Sequence, residues 1–164
     1  MKRILFLLTA TVLIITLTAC GSPPALKSDF SAMFSTQCGD LDYAGALNKS
    51  GDHLTITMKE PYTIAGMVFD YSDSGLSIKN GGHRTIADSD YLPDSSVPAA
   101  LHNALLYLPQ ASYSGSPNGR DSYTVTTPYG DAEMTATDGY PTEITEPHSG
   151  LSFRFTAPSD PTEE

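Results

Sequence analysis

The chain has 164 residues, with 9 Lys or Arg against 19 Asp or Glu, and a formal net charge of −10 at pH 7. It therefore lacks the basic footprint that nucleic-acid-binding proteins present to phosphates, and we expect neither DNA nor RNA as a partner. Its two cysteines, Cys20 and Cys38, form no Cys-x-x-Cys redox or zinc motif.

The N-terminus has the features of a secretory signal peptide. Met1-Lys2-Arg3 supplies a basic start, and an apolar, threonine-rich run follows from residue 4 to residue 19. The run is shorter than the about 20 apolar residues that a membrane-spanning helix needs, so we expect its removal. The sequence predicts a signal peptide over residues 1–19.

The end of this segment, Leu17-Thr18-Ala19-Cys20, resembles the lipobox of bacterial lipoproteins. In those proteins the cysteine thiol receives a diacylglyceryl group, and the cysteine becomes the first mature residue. The resemblance makes Cys20 the site of lipid attachment, with acyl chains such as palmitate, and two chains give the double anchor that stable attachment requires. It implies a protein held at the cell membrane and facing outside the cytoplasm. The alternative is that Cys20 merely ends an ordinary signal peptide or an uncleaved anchor.

The predicted mature chain is one small acidic domain with two extended ends. Without residues 1–19, 145 residues remain, and their 7 basic and 19 acidic side chains give a net charge of −12. Anionic lipid repels this charge, so attachment depends on the lipid rather than on a basic patch. Prolines predict an extended tether over residues 20–28, which begins at the lipidated Cys20, and a flexible tail over residues 158–164. The domain itself is predicted over residues 29–157.

Period-two alternation of apolar and polar residues dominates the first half of this domain. Such alternation is typical of strands that bury one face. The predicted strands cover residues 30–35, 41–49, 54–59, 67–71, 76–79 and 83–86. Tight turns rich in Gly, Asn, Ser and Asp separate several of them. We therefore expect six antiparallel strands before any helix.

One helix is predicted, over residues 96–108. Its apolar residues fall on a single stripe, Val97, Leu101, Ala104, Leu105 and Leu108. Ser95 or Ser96 is the expected N-cap, Pro98 suits the first turn, and Pro109 ends the helix. His102 and Asn103 are expected to point away from the stripe. Strands then resume near residues 123–125, 132–136, 142–146 and 151–155, separated by Gly- and Pro-containing turns.

This order of elements resembles two groups of known proteins. With the hairpin Asp138-Gly139-Tyr140-Pro141-Thr142 and the closing strand Gly150-Leu151-Ser152-Phe153, the chain is similar to small lipoproteins of Gram-positive, clostridial-type bacteria. More distantly, it resembles the lipoprotein-carrier half-barrels of the LolA, LolB and LppX-like type. The resemblance spans about residues 30–155. It implies a mostly β (α+β) fold, an antiparallel curved sheet or half-barrel of about ten strands with one helix packed on the concave face.

In those carriers an apolar cavity between sheet and helix receives acyl chains. The same cavity here would be lined by inward-facing side chains: Leu54, Ile56, Met58, Met67, Phe69, Ile78, Leu101, Leu105, Val125, Met134 and Phe153. The chain departs from the carriers in its single predicted helix and its lack of tryptophan. An apolar alternating face is also what a filled core requires. Two functions therefore stay open: binding or shielding of a hydrophobic ligand such as an acyl chain, or a surface interaction module with a filled core that binds a protein or cell-wall partner.

The sequence contains no legible catalytic or metal-binding constellation. Its four histidines, His53, His83, His102 and His148, form no His-x-His or His-Glu-x-x-His pair. Ser74 and Ser149 lack the Gly-x-Ser-x-Gly elbow of serine hydrolases and are predicted to be turn residues. Asp88-Ser89-Asp90 lacks the remaining ligands of a calcium loop. We expect a non-enzymatic protein without a cofactor or metal.

Overall fold

A computed structural model of the chain describes residues 24–161. The predicted signal peptide, Cys20 and residues 162–164 lie outside the described residues. Within residues 24–161, eleven strands form one antiparallel sheet. They are β1 (Phe30–Cys38), β2 (Leu41–Ser50), β3 (His53–Glu60), β4 (Val68–Ser72), β5 (Gly75–Asn80), β6 (His83–Ala87), β7 (Ser112–Gly115), β8 (Asp121–Thr127), β9 (Gly130–Thr137), β10 (Tyr140–Thr145) and β11 (Ser152–Ser159).

The sheet consists of two meanders joined at its centre. Its spatial order is β6-β5-β4-β3-β2-β1-β11-β10-β9-β8-β7, so the first and last strands pair with each other. Phe30 and Phe34 of β1 meet Phe155 and Phe153 of β11 edge to face, with ring centroids 5.7 and 6.4 Å apart. Such aromatic pairs add to the stabilisation from burial alone. The edges β6 and β7 belong to the middle of the chain.

One α-helix, α1 (Val97–Leu106), crosses the concave face of the sheet. It buries the predicted stripe of Val97, Leu101, Ala104 and Leu105 against the strands. It ends two residues earlier than predicted: Tyr107 leaves the α-helical conformation, and the chain continues in a 3-10 turn because Pro109 cannot donate the backbone hydrogen bond that an α-helix needs there. Short 3-10 turns cover Tyr62–Ile64, Leu108–Gln110 and Pro117–Gly119. In the described part of the chain, no helix is long and apolar enough to cross a membrane.

The predicted fold class is confirmed: a mostly β, open curved antiparallel sheet with one helix. Six strands precede the helix, as expected. Strand β7 was not predicted, because its residues are exposed or half-buried and show no alternation. Strand β11 continues to Ser159, beyond the predicted domain end at residue 157.

Candidate functional site

The predicted cavity-lining residues come together on the concave face beneath α1. Nine of them are no more than 6 % exposed: Leu54, Ile56, Met58, Phe69, Leu101, Leu105, Val125, Met134 and Phe153. Met67 and Ile78 are half-buried and pack against the same core. A void of about 10 Å³ lies between the helix and the β2–β3 hairpin, where Leu105 and Leu54 form part of its wall. That volume holds about one water molecule. The face is packed in this arrangement, and a ligand role for these residues stays a prediction.

Polar side chains interrupt the apolar contact between α1 and the sheet, which we call the helix seam. The His102 ring of α1 stacks on the Tyr71 ring of β4, with centroids 4.0 Å apart and planes 9° apart. The prediction that His102 points away from the apolar stripe is therefore wrong. It lies one residue after Leu101 and three before Leu105, so it occupies the edge of the same helical face. Burial lowers the pKa of His102 and favours the neutral ring.

Tyr71 is a core residue whose hydroxyl is buried without a hydrogen-bond partner in the described part of the chain. Its side chain is 1 % exposed, and its hydroxyl has no hydrogen-bond partner among the described residues. Buried tyrosine hydroxyls usually have a partner. Burial raises the pKa of Tyr71, so the hydroxyl stays neutral at physiological pH. Alternation with Phe69 puts Tyr71 on the inner face of β4, but the sequence carries no signal that its hydroxyl would be left unpaired.

Lys49 is the charged member of the helix seam. It is 3 % exposed, in register with Leu54 of β3, which in turn pairs with Tyr71 of β4. Its ammonium donates to the Gly51 carbonyl at 2.7 Å. Burial lowers the pKa of Lys49, and the nearby carboxylates of Asp29 and Asp52 act in the opposite direction. Strict alternation with Leu47 could have identified Lys49 as inward-facing.

A third polar group lies at the beginning of α1. Ser96 occupies the predicted N-cap position, but its side chain makes no capping hydrogen bond. Its hydroxyl oxygen is buried and has no partner among the described residues. The helix seam and the adjoining start of α1 therefore hold two unpaired hydroxyls, those of Tyr71 and Ser96, together with the buried ammonium of Lys49.

Glu146 is a buried carboxylate of a different kind, because its partners satisfy it. It is 1 % exposed and accepts from the Ser149 amide and hydroxyl, both at 2.6 Å, and from the His148 amide at 3.0 Å. These bonds fix the turn between β10 and β11. Ser149 is thus a turn residue, as predicted, and its hydroxyl donates within the turn. His148 instead approaches the Asp94 carboxylate at 4.0 Å.

The opposite, convex face of the sheet carries the larger surface cavities. Cavities of about 390 Å³ lie over β1–β3 with β11 and over β8–β10, and one of about 600 Å³ lies over the other end of β1, β2 and β11. Their polar lining includes Asn48, Thr55 and Thr57 in the first, Thr124 and Thr135 in the second, and Gln37 and Arg154 in the third. Among the described residues, no group of three or more His, Cys, Asp or Glu could hold a metal ion.

Comparison with known proteins identifies the fold. No protein-family profile and no curated protein sequence matches the chain. The crystal structure of a LolA superfamily protein from Nitrosomonas europaea is similar over 86 % of this chain and 90 % of that one, with a TM-score of 0.52 and 10 % identity. An uncharacterized conserved protein from Thermus thermophilus is similar over 82 % of this chain and 80 % of its own, with a TM-score of 0.53 and 8 % identity. The chain therefore folds as a LolA-like half-barrel.

Proposed function

We propose that the protein is a membrane-anchored extracytoplasmic lipoprotein that binds a hydrophobic ligand, such as an acyl chain, between α1 and the concave face of the sheet. The lipobox-like residues ending at Cys20 support the anchor. The half-barrel fold and the wide apolar face beneath one helix support the ligand. The clostridial-type lipoprotein resemblance is part of the same proposal.

The observation that carries the ligand role is the incomplete hydrogen bonding of the helix seam. A buried hydroxyl without a partner costs about 1–3 kcal/mol, and a buried ammonium with one acceptor adds a further cost. Tyr71 and Lys49 carry these costs where α1 meets the sheet, and Ser96 carries one at the beginning of α1; a further hydroxyl without a partner among the described residues, that of Thr36, lies on β1. The closed helix seam is therefore less stable than an all-apolar contact of the same size. If the helix seam opened, water would hydrate these hydroxyls and the ammonium, and a bound acyl chain would keep the apolar side chains out of water.

The alternative is a surface interaction module with a filled core, whose partner is a protein or a cell-wall polymer. The observation in its favour is the position of the larger cavities, which lie on the hydroxyl-rich convex face. A polymer rich in hydrogen-bonding groups would suit that face. Under this alternative the apolar residues beneath α1 serve packing alone.

Lipid extraction and fatty-acid titration distinguish the two functions. We expect mass spectrometry of lipids extracted from the purified domain to find a co-purified acyl lipid, and a fluorescent fatty acid to bind saturably. Phe69→Ala should weaken that binding and cost less than the about 3–5 kcal/mol of truncating a packed aromatic. Val68→Ala is the matched control, because the neighbouring Val68 faces outward and should leave binding unchanged. A parent protein without saturable uptake, and a Phe69→Ala loss in the full range, would favour the interaction module.

The anchor is tested separately through the predicted lipid attachment residue. Cys20→Ser should release the protein from the membrane fraction or leave an unprocessed precursor. Cys38→Ser, at the other cysteine, should leave both processing and membrane association unchanged. A processed Cys20→Ser protein that stayed fully in the membrane fraction would contradict lipid anchoring.

A further inference from the structure

The segment that enters the domain is fixed to one end of the sheet. The Tyr123 hydroxyl donates to the Pro24 carbonyl at 2.8 Å, and the Lys27 amide donates to the Gly139 carbonyl at 2.7 Å. A Cβ atom on Gly139 would lie 2.7 Å from the Ala25 carbonyl oxygen, so the close fit requires glycine there. Residues 24–27, predicted as part of an extended tether, are thus hydrogen-bonded to the domain.

The Lys27 side chain strengthens this attachment and joins the two ends of the described chain. Its ammonium donates to the Tyr140 hydroxyl and to the Asp160 carboxylate, each at 2.6 Å. It also lies 4.2 Å from the centroid of the Tyr140 ring. The Tyr140 hydroxyl in turn donates to Asp160 at 2.9 Å. These three side chains form a closed set of contacts, which we call the Lys27 clamp.

The Lys27 clamp lies at one particular rim of the half-barrel. We call it the tether rim, formed by the turns at residues 51–52, 73–74 and 138–139. Strand pairing places the first two turns side by side, because Phe30 pairs with Lys49, Lys49 with Leu54, and Leu54 with Tyr71. Lys49 and Leu54 flank the turn at residues 51–52, and Tyr71 lies just before the turn at residues 73–74. The turns at residues 39–40, 81–82 and 128–129 form the opposite, far rim. Strands of about eight residues separate the two rims by about 25 Å.

We infer that the tether rim faces the bilayer; this orientation rests on the proposed lipid on Cys20. Pro24 follows Cys20 by four positions, and an extended chain of four steps spans at most about 14 Å. That reach is shorter than the distance between the rims, so the far rim cannot turn to the membrane while the Lys27 clamp is closed. Without the clamp, the ten steps from Cys20 to Phe30 would span up to about 35 Å and relax the constraint.

The orientation gives the helix seam a direction. The void next to Lys49, His102 and Leu105 is also walled by Gly51 and Asp52, which belong to the tether rim. If the closed helix seam separates at this void, it opens toward the bilayer, and an acyl chain could pass between membrane and concave face without crossing bulk water. The rim also carries the carboxylates of Asp73 and Asp138, so the covalent tether rather than charge attraction sets the orientation.

Fluorescence quenching in vesicles tests the orientation with the full lipidated chain. In a Cys38→Ser background, a fluorophore is placed on Ser74→Cys at the tether rim or on Asn80→Cys next to the far rim, both exposed positions. The vesicles are phosphatidylcholine containing nitroxide-headgroup lipid. We expect several-fold stronger quenching at position 74 than at position 80. Lys27→Glu, which faces Asp160 with a like charge, should shrink that difference, and adding Asp160→Lys should restore it.

Each outcome bears on a separate part of the inference. Vesicle-bound protein with equal quenching at the two positions, or stronger quenching at position 80, overturns the orientation and leaves the anchor standing. A wild-type chain that does not associate with the vesicles overturns the anchor, and the orientation with it. An unchanged difference in the Lys27→Glu variant would show that the clamp does not set the orientation.

Discussion

Removing a single oxygen atom from the helix seam should stabilise the domain. In Tyr71→Phe the ring that stacks on His102 remains, and the buried hydroxyl without a partner is lost. Such a hydroxyl costs about 1–3 kcal/mol when it is buried unpaired. We take the lower end, about 1 kcal/mol, because small side-chain shifts relieve part of the cost. For a domain of this length the gain corresponds to roughly 4 °C in melting temperature.

Tyr123→Phe provides the matched control for this change. Tyr123 is also buried, but its hydroxyl donates to the Pro24 carbonyl at 2.8 Å. Its removal should cost about 0.5–1.5 kcal/mol, so the same chemical change has opposite signs at the two positions. Urea unfolding followed by circular dichroism, with an unchanged dependence on denaturant, measures both. Equal destabilisation by Tyr71→Phe would show that the Tyr71 hydroxyl has a partner, such as an ordered water, and would remove the main support for a weakened helix seam.

Three further changes probe the same region. Leu105→Asp should destabilise the domain by several kcal/mol, because it places an unpaired charge against the sheet; an unchanged melting temperature would show that the stripe is not buried. Lys49→Met should remove the contribution of this residue to the pH dependence of folding stability. Because the folded-state pKa of Lys49 lies below 10.5, the unfolded chain binds more protons, and the wild type gains stability as the pH rises toward 10.5. The wild type should lose stability as the pH falls below 6.5, since the folded His102 ring resists protonation, and this loss should be absent in His102→Phe. Urea titrations at several pH values, compared between each variant and the wild type, measure both pH dependences.

Local periodicity predicted most of the sheet, because strands that bury one face repeat every two residues. Leu54, Ile56 and Met58 show this in β3, where each is buried. Strand β7 escaped prediction because an edge strand with no fully buried side chain needs no alternation. The stripe of α1 was correct, and the position of its end differed only because of Pro109.

Local pattern could have predicted only part of the polar features of the candidate site. A lysine in an apolar alternation is ordinarily assigned to solvent, yet Lys49 follows the inward register of Leu47. The docking of Lys27 on Gly139 joins residues 112 positions apart, and no local signal encodes such a contact. The lipid-attachment role of Cys20, which the sequence indicates most strongly, lies outside the described residues.

The pairing of the first strand with the last has a consequence for how the chain is made. Until β11 is synthesised, β1 has no partner on one side and presents free backbone groups with the rings of Phe30 and Phe34 beside them. An unprotected edge of this kind is a template for pairing with other chains. Closing it requires contacts between residues more than a hundred positions apart, which form slowly. A chain shortened before Ser152 should therefore aggregate even though the whole β1–β6 meander is present, and its dependence on a chaperone should end only when the last strand arrives.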